Sequence, residues 1–131
     1  MNTTKNFAAA IGTFQLAEIE AGGFVGPCEV ADRREREALD RLIATRSPHR
    51  AGIIWKIERA AESVRDQRDH FGRLVGELEA CVNELAQTGA DLAHVADALT
   101  VVSRRLEREG LYEGYARLLR SASVDARELV A

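Results

Sequence analysis

The residues best placed for chemistry in this chain are two acid–histidine couples, Asp66 with His70 at i,i+4 and Asp91 with His94 at i,i+3. Spacings of three and four put both members of a couple on one helix face, where carboxylate and imidazole are common partners for a metal ion. A shared site is opposed by geometry. If the segments carrying them form an antiparallel hairpin turning near Gly89, the histidines lie about 20 Å apart along the axis. Each also stands one residue before an inward apolar position, Phe71 and Val95, on the outer flank. The di-iron pattern of helical bundles needs an inward Glu-x-x-His, and Gln67 occupies the place of that Glu. No metal and no cofactor is expected.

The thiols fare no better. Cys28 falls near a helix start, where the pKa of a thiol drops, but beside Glu29; Cys81 lies on the flank of an apolar stripe. Neither belongs to a CxxC pair, so neither a disulfide framework nor a zinc site is indicated. G-x-S-x-G, a glycine-rich phosphate loop and paired inward carboxylates are all missing from the sequence. No catalytic residue is assigned, and an enzyme built on Cys28, His70 or His94 is the weakest functional class.

Charge is arranged more suggestively. The balance of 18 basic and 21 acidic residues, net −3, exerts no global pull toward nucleic acid or an anionic membrane. Locally, Arg46, Arg50, Lys56 and Arg59 cluster in sequence, and a regular hairpin brings Arg104, Arg105 and Arg108 back beside them, with Arg117 and Arg120 following. That end is a candidate patch for an anion, an acidic partner or nucleic acid. Between Leu74 and Ser103 the chain has Glu77, Glu79, Glu84, Asp91 and Asp97 and neither Arg nor Lys, which predicts an acidic hairpin tip. Trp55 stands outside the apolar stripe beside Lys56, where it either packs under the N-terminal helices or anchors an oligomer or partner interface.

These residues must be positioned by helices. From Ile54 to Leu85 apolar residues recur at 3-4-3-4 spacing (Ile54, Ile57, Ala61, Val64, Phe71, Val75, Leu78, Val82, Leu85), and only Arg68 breaks the register. The pattern predicts one long helix over about 48–88, roughly 57 Å if it runs ~38 residues, following the break at Ser47 and Pro48. Ile53, Ala60, Leu74 and Cys81 add a further apolar column, which suits a bundle of three or more helices. Gly72, Gly76 and Ala80 form a small-residue line that, with Arg68 and Trp55, marks a candidate helix-crossing or subunit interface. Arg68 there must reach an acid, snorkel to solvent or border a subunit contact.

After a break at Thr88–Ala90, Leu92, Val95, Leu99, Val102 and Leu106 restart the spacing to Gly110, predicting helices over 91–109 and 111–130 that pack back on the long one. Upstream, residues 3–45 read as a helical hairpin broken at Gly22 and Gly23, with a strand hairpin as the competing reading of 5–26. Residues 29–41 carry interleaved acidic and basic side chains, the mark of a solvated helix flank.

Ala44, Thr45, Ala51, Gly52, Ile53 and Lys56 resemble the A-T-x5-A-G-[LI]-x-x-K junction of small, uncharacterised helical proteins of alphaproteobacteria and their phages and mobile elements. The resemblance covers about Leu39–Ala61 and implies a helical hairpin and a bacterial or phage source. It implies no activity.

The sequence therefore predicts an all-α, single-domain helical bundle over residues 1–131. A helix of that length exceeds what the rest of one chain can cover, so a homodimer is expected. With no signal peptide and no apolar run of membrane-spanning length, a cytoplasmic protein with no membrane association follows. Its expected role is a non-enzymatic adaptor or inhibitor acting on another protein through helical surfaces, with a nucleic-acid-binding regulator as the alternative.

Overall fold

The computed structural model describes residues 3–23, 29–65, 68–87, 89–109 and 113–130. Cys28 and Asp66, and the side chains of Arg68 and His70, lie outside them. Every element among the described residues is an α-helix, so the all-α class holds and residues 3–22 are helical, not a strand. Contacts cluster into two compact units, Met1–Arg46 and Ser47–Ala131.

The first unit is a hairpin of α1 (Thr3–Gly22) and α2 (Glu29–Ala44). On α1, Phe7, Ala10, Phe14 and Ala17 repeat at 3-4-3 spacing and are buried; α2 buries Ala31, Ala38, Leu39 and Leu42. The helices run antiparallel, because Arg41 reaches Thr13 Oγ1 at 3.5 Å while Arg34 reaches Glu20 Oε1 at 2.6 Å. The interleaved charges of α2 are solvated as expected: Asp32, Arg33, Arg36 and Asp40 are all exposed.

The second unit holds α3 (Arg50–Arg65), α4 (Arg68–Leu85), α5 (Leu92–Glu109) and α6 (Glu113–Val130). Each packs on its chain neighbour and α6 closes on α3, so the four enclose one core. Here the sequence reading is corrected. The predicted long helix over 48–88 is two helices folded back on each other: Arg50 Nη1 donates to the Gln87 carbonyl at 3.0 Å, whereas one continuous helix would separate them by about 55 Å. The physical reason lies at residues 65–70, Arg-Asp-Gln-Arg-Asp-His, where no apolar side chain exists to hold a helix against a core. The 3-4 register survives the fold because each half is itself amphipathic. Arg68 opens α4 and is no core position within a longer helix.

Folding back also changes which column is deepest. Ile53 and Ala60 are fully buried and Leu74 and Cys81 nearly so, whereas Ile54 and Val82 are only half-buried. They meet Val95, Leu99, Val102 and Leu106 of α5 and Ala116, Leu119, Ala122 and Ala126 of α6. The small α6 residues leave room for the bulkier α3 and α4 side chains, the large-against-small matching that dense helical cores need. Gly89 makes the turn from α4 to α5 with φ +79°, a left-handed conformation that glycine adopts without steric cost. Asp91 then caps α5, its Oδ1 accepting the His94 amide proton at 3.1 Å.

Candidate functional site

The one buried charge cluster of the described residues centres on Lys56. It sits three residues after Ile53 and four before Ala60, on the core face of α3, and is completely enclosed. Its Nζ lies 2.6 Å from Asp125 Oδ2 and donates to Ser121 Oγ at 2.8 Å, two α6 residues one turn apart. The same Asp125 oxygen accepts the Ser47 amide at 3.2 Å, and Ser47 Oγ donates to the His49 carbonyl at 2.9 Å. Burial pushes the Lys56 ammonium below its ordinary pKa, opposed by the attraction and hydrogen bond of Asp125. Burial likewise pushes Asp125 up, opposed by Lys56 and by the Ser47 amide. Desolvation leads on both sides, so the pair specifies a geometry more than it adds stability.

A serine beside a lysine with a depressed pKa is also how serine–lysine hydrolases activate a nucleophile. The present arrangement does not provide that. Asp125 Oδ2, 2.6 Å from Lys56 Nζ, competes with Ser121 for that amine. Ser121 also lies inside α6, where backbone amides are spent on the helix and none is aimed at an oxyanion. The cluster ties α3, α6 and the start of the second unit together.

A second buried polar group joins α5 to α6. Thr100 Oγ1 and Ser123 Oγ lie 2.9 Å apart and both reach the Ala96 carbonyl, at 3.0 and 2.7 Å.

The residues of the predicted basic patch take different partners in the fold. Lys56 is interior, and Arg59 lies over the Tyr115 ring at 5.1 Å while donating to its hydroxyl at 3.0 Å. Arg50 is engaged at the Gln87 end of the unit. Arg105 pairs with Glu77 at 3.4 Å, and Arg104 and Arg108 are exposed farther along α5. With α3 folded back, Arg50 and Arg108 stand about 20 Å apart along the bundle. Arg46 ends the first unit and is exposed. The predicted acidic tip is likewise interleaved with cations: Glu77 meets Arg105 and Arg73, Asp97 meets Arg127 at 2.8 Å, and Asp91 is a helix cap. Glu79 is exposed and Glu84 half-buried. In both cases a charge pattern that is segregated along the chain becomes mixed when four helices bring distant turns together.

The other candidates are placed as follows. Trp55 is half-buried on α3. Gly72, Gly76 and Ala80 face outward, and a Cβ added at either glycine would meet nothing within 4 Å, so among the described residues of the second unit no helix crosses there. Among the described residues no three His, Cys, Asp or Glu side chains come together to hold a metal ion. His94 is exposed. The thiol of Cys81 is pushed up to about 11, first by burial and then by Glu84 and Glu77, the reverse of an activated cysteine. No helix of the described residues is long and apolar enough to cross a membrane.

The described residues form open grooves, two of them within the separate units. One, of about 330 Å³ between α3 and α4, has Glu58, Glu62 and Glu79 around Leu78; the other, of about 400 Å³ between α1 and α2, has Leu16, Ala17 and Ala38 between charged rims. Comparison of the chain with protein-family models, with curated proteins and with solved structures returned no match.

Proposed function

We propose that the protein is a non-enzymatic interaction protein, an adaptor or inhibitor that works through helical surfaces and associates with itself. The observation that supports this reading is apolar surface left in water: Leu16 and Ile19 on α1 are 69% and 72% exposed, and Val30, Val101 and Val124 are at least half exposed. Single exposed apolar residues are ordinary, but two large ones a turn apart on a helix whose opposite face is already buried need a covering surface. The buried Lys56 cluster supports the same reading, since it lies closed to solvent and joins α3 to α6. No comparable observation favours nucleic acid, because the arginines are dispersed.

In-cell cross-linking in the native host, followed by mass spectrometry, tests the proposal. Cross-linked pairs involving this chain and either a second copy or another protein are expected, and Leu16→Glu/Ile19→Glu and Val101→Glu/Val124→Glu show which unit carries each. If nothing associates above background, the reading fails.

A further inference from the structure

The outer face of α1 carries a second helical register. Lys5, Ala9, Gly12, Leu16, Ile19 and Gly23 recur at 4-3-4-3-4 spacing on the side opposite the buried Phe7, Ala10, Phe14 and Ala17. All six are exposed or, for Gly12, half-buried, and a Cβ built on Gly12 meets nothing within 4 Å. A helix with apolar residues on both faces is the form taken by one that is covered on both.

The order of sizes along this register says what covers it. Its small residues, Ala9 and Gly12, lie in the N-terminal half, and its large ones, Leu16 and Ile19, lie in the C-terminal half. Place a second α1 antiparallel across it, with the two-fold axis at the level of Phe14. Each pairing then sets large against small: Ile19 over Ala9 of the second copy, and Leu16 over its Gly12. These are the a-to-d pairings that antiparallel helices use. The third layer brings Lys5 to Gly23 of the second copy, the end of that α1, where a cation meets the negative end of the helix dipole. A parallel pairing sets Leu16 on Leu16 and Gly12 on Gly12 and places both lysines together.

From this self-complementarity we infer that α1 is the homodimer interface, an isologous antiparallel contact between two copies of this chain. The inference rests on the interaction reading given above and assigns that reading its first surface. It also moves the dimer contact away from α3 and α4, where the sequence pattern alone locates it.

Sedimentation velocity of the full chain across the micromolar range tests the proposal. A reversible dimer is expected, and Leu16→Glu/Ile19→Glu should weaken it at least about tenfold with helicity by circular dichroism unchanged, since both side chains are in solvent. Gly12→Leu separates interface from fold: it raises helix propensity, so thermal stability should hold or rise, yet it fills the notch that receives Leu16 and should weaken the dimer. In a Cys28→Ser background, mixing Ala9→Cys with Ile19→Cys should give disulfide-linked pairs faster than either variant alone. A wild-type chain that stays monomeric at high micromolar concentration overturns the inference. A dimer indifferent to the α1 variants also overturns it while leaving self-association, and so the broader reading, intact.

Discussion

A lysine enclosed on all sides is a tether. With Asp125, Ser121 and Ser47 gathered around it, Lys56 can be replaced in two ways whose costs differ. Lys56→Met leaves the Asp125 carboxylate buried with only a serine amide for company, and a loss of about 3–5 kcal/mol is expected in chemical denaturation. Lys56→Met/Asp125→Leu removes both charges and should recover most of that loss, since burial works against each ion. Equal losses in the single and double variants would refute this account. Cys81 gives a pH-dependent companion. Its folded pKa of about 11 stands above the ordinary 9.0, so between those values the native state keeps a proton that the unfolded chain has released. Stability must therefore fall as pH rises from 9 toward 11, and Cys81→Ala should lack that part of the slope. Alkylation of the native protein at pH 8 should be slow for the same reason. Neither role is assigned by residue type alone: a lysine near arginines reads as display, and only its place between Ile53, Ile57 and Ala60 marks it as interior. Asp125 gives no sign at all, because its partner lies 69 residues away.

Element boundaries separate what periodicity reveals from what it leaves open. A 3-4 register records that a segment has one apolar face, and it is identical for one long helix and for two that meet at a bend. What distinguishes them is the six-residue polar run at 65–70, which empties the stripe for more than one turn. The breaks at 47–49 and at 88–90 were legible because proline and glycine mark them, and the core columns of α5 were legible because its stripe is continuous. Glycines yield opposite predictions here. Gly76→Ala lies on an open helical surface and should stabilise the protein by about 0.5–1 kcal/mol, through helix propensity alone. Gly89→Ala must force a side chain into φ +79° and should destabilise by about 1–2 kcal/mol. Melting curves of the two variants displaced in the same direction would contradict the assignment of whichever one moved against its predicted sign. Asp91→Ala, which removes the cap of α5, should cost about 1 kcal/mol.

At the scale of the molecule, the second unit has a four-helix core of its own and the first is a two-helix hairpin. Residues 47–131 expressed alone should therefore unfold cooperatively, while residues 1–46 alone, whose two helices have only each other to pack on, should unfold at lower temperature. Circular dichroism of the two pieces checks this, and a second piece without a sharp transition would show that the division is not one of stability. The buried Lys56 also dictates an order of events at the ribosome. Chain synthesis produces α3 long before α6, so Lys56 exists without its counter-ion until α6 has been made. Until then α3 can adopt its helix but cannot close its core face without stranding an ammonium in it. Completion of the second unit must wait for release of its last helix, and a nascent chain halted before Asp125 would stay open to chaperones however much of its apolar core had already been translated.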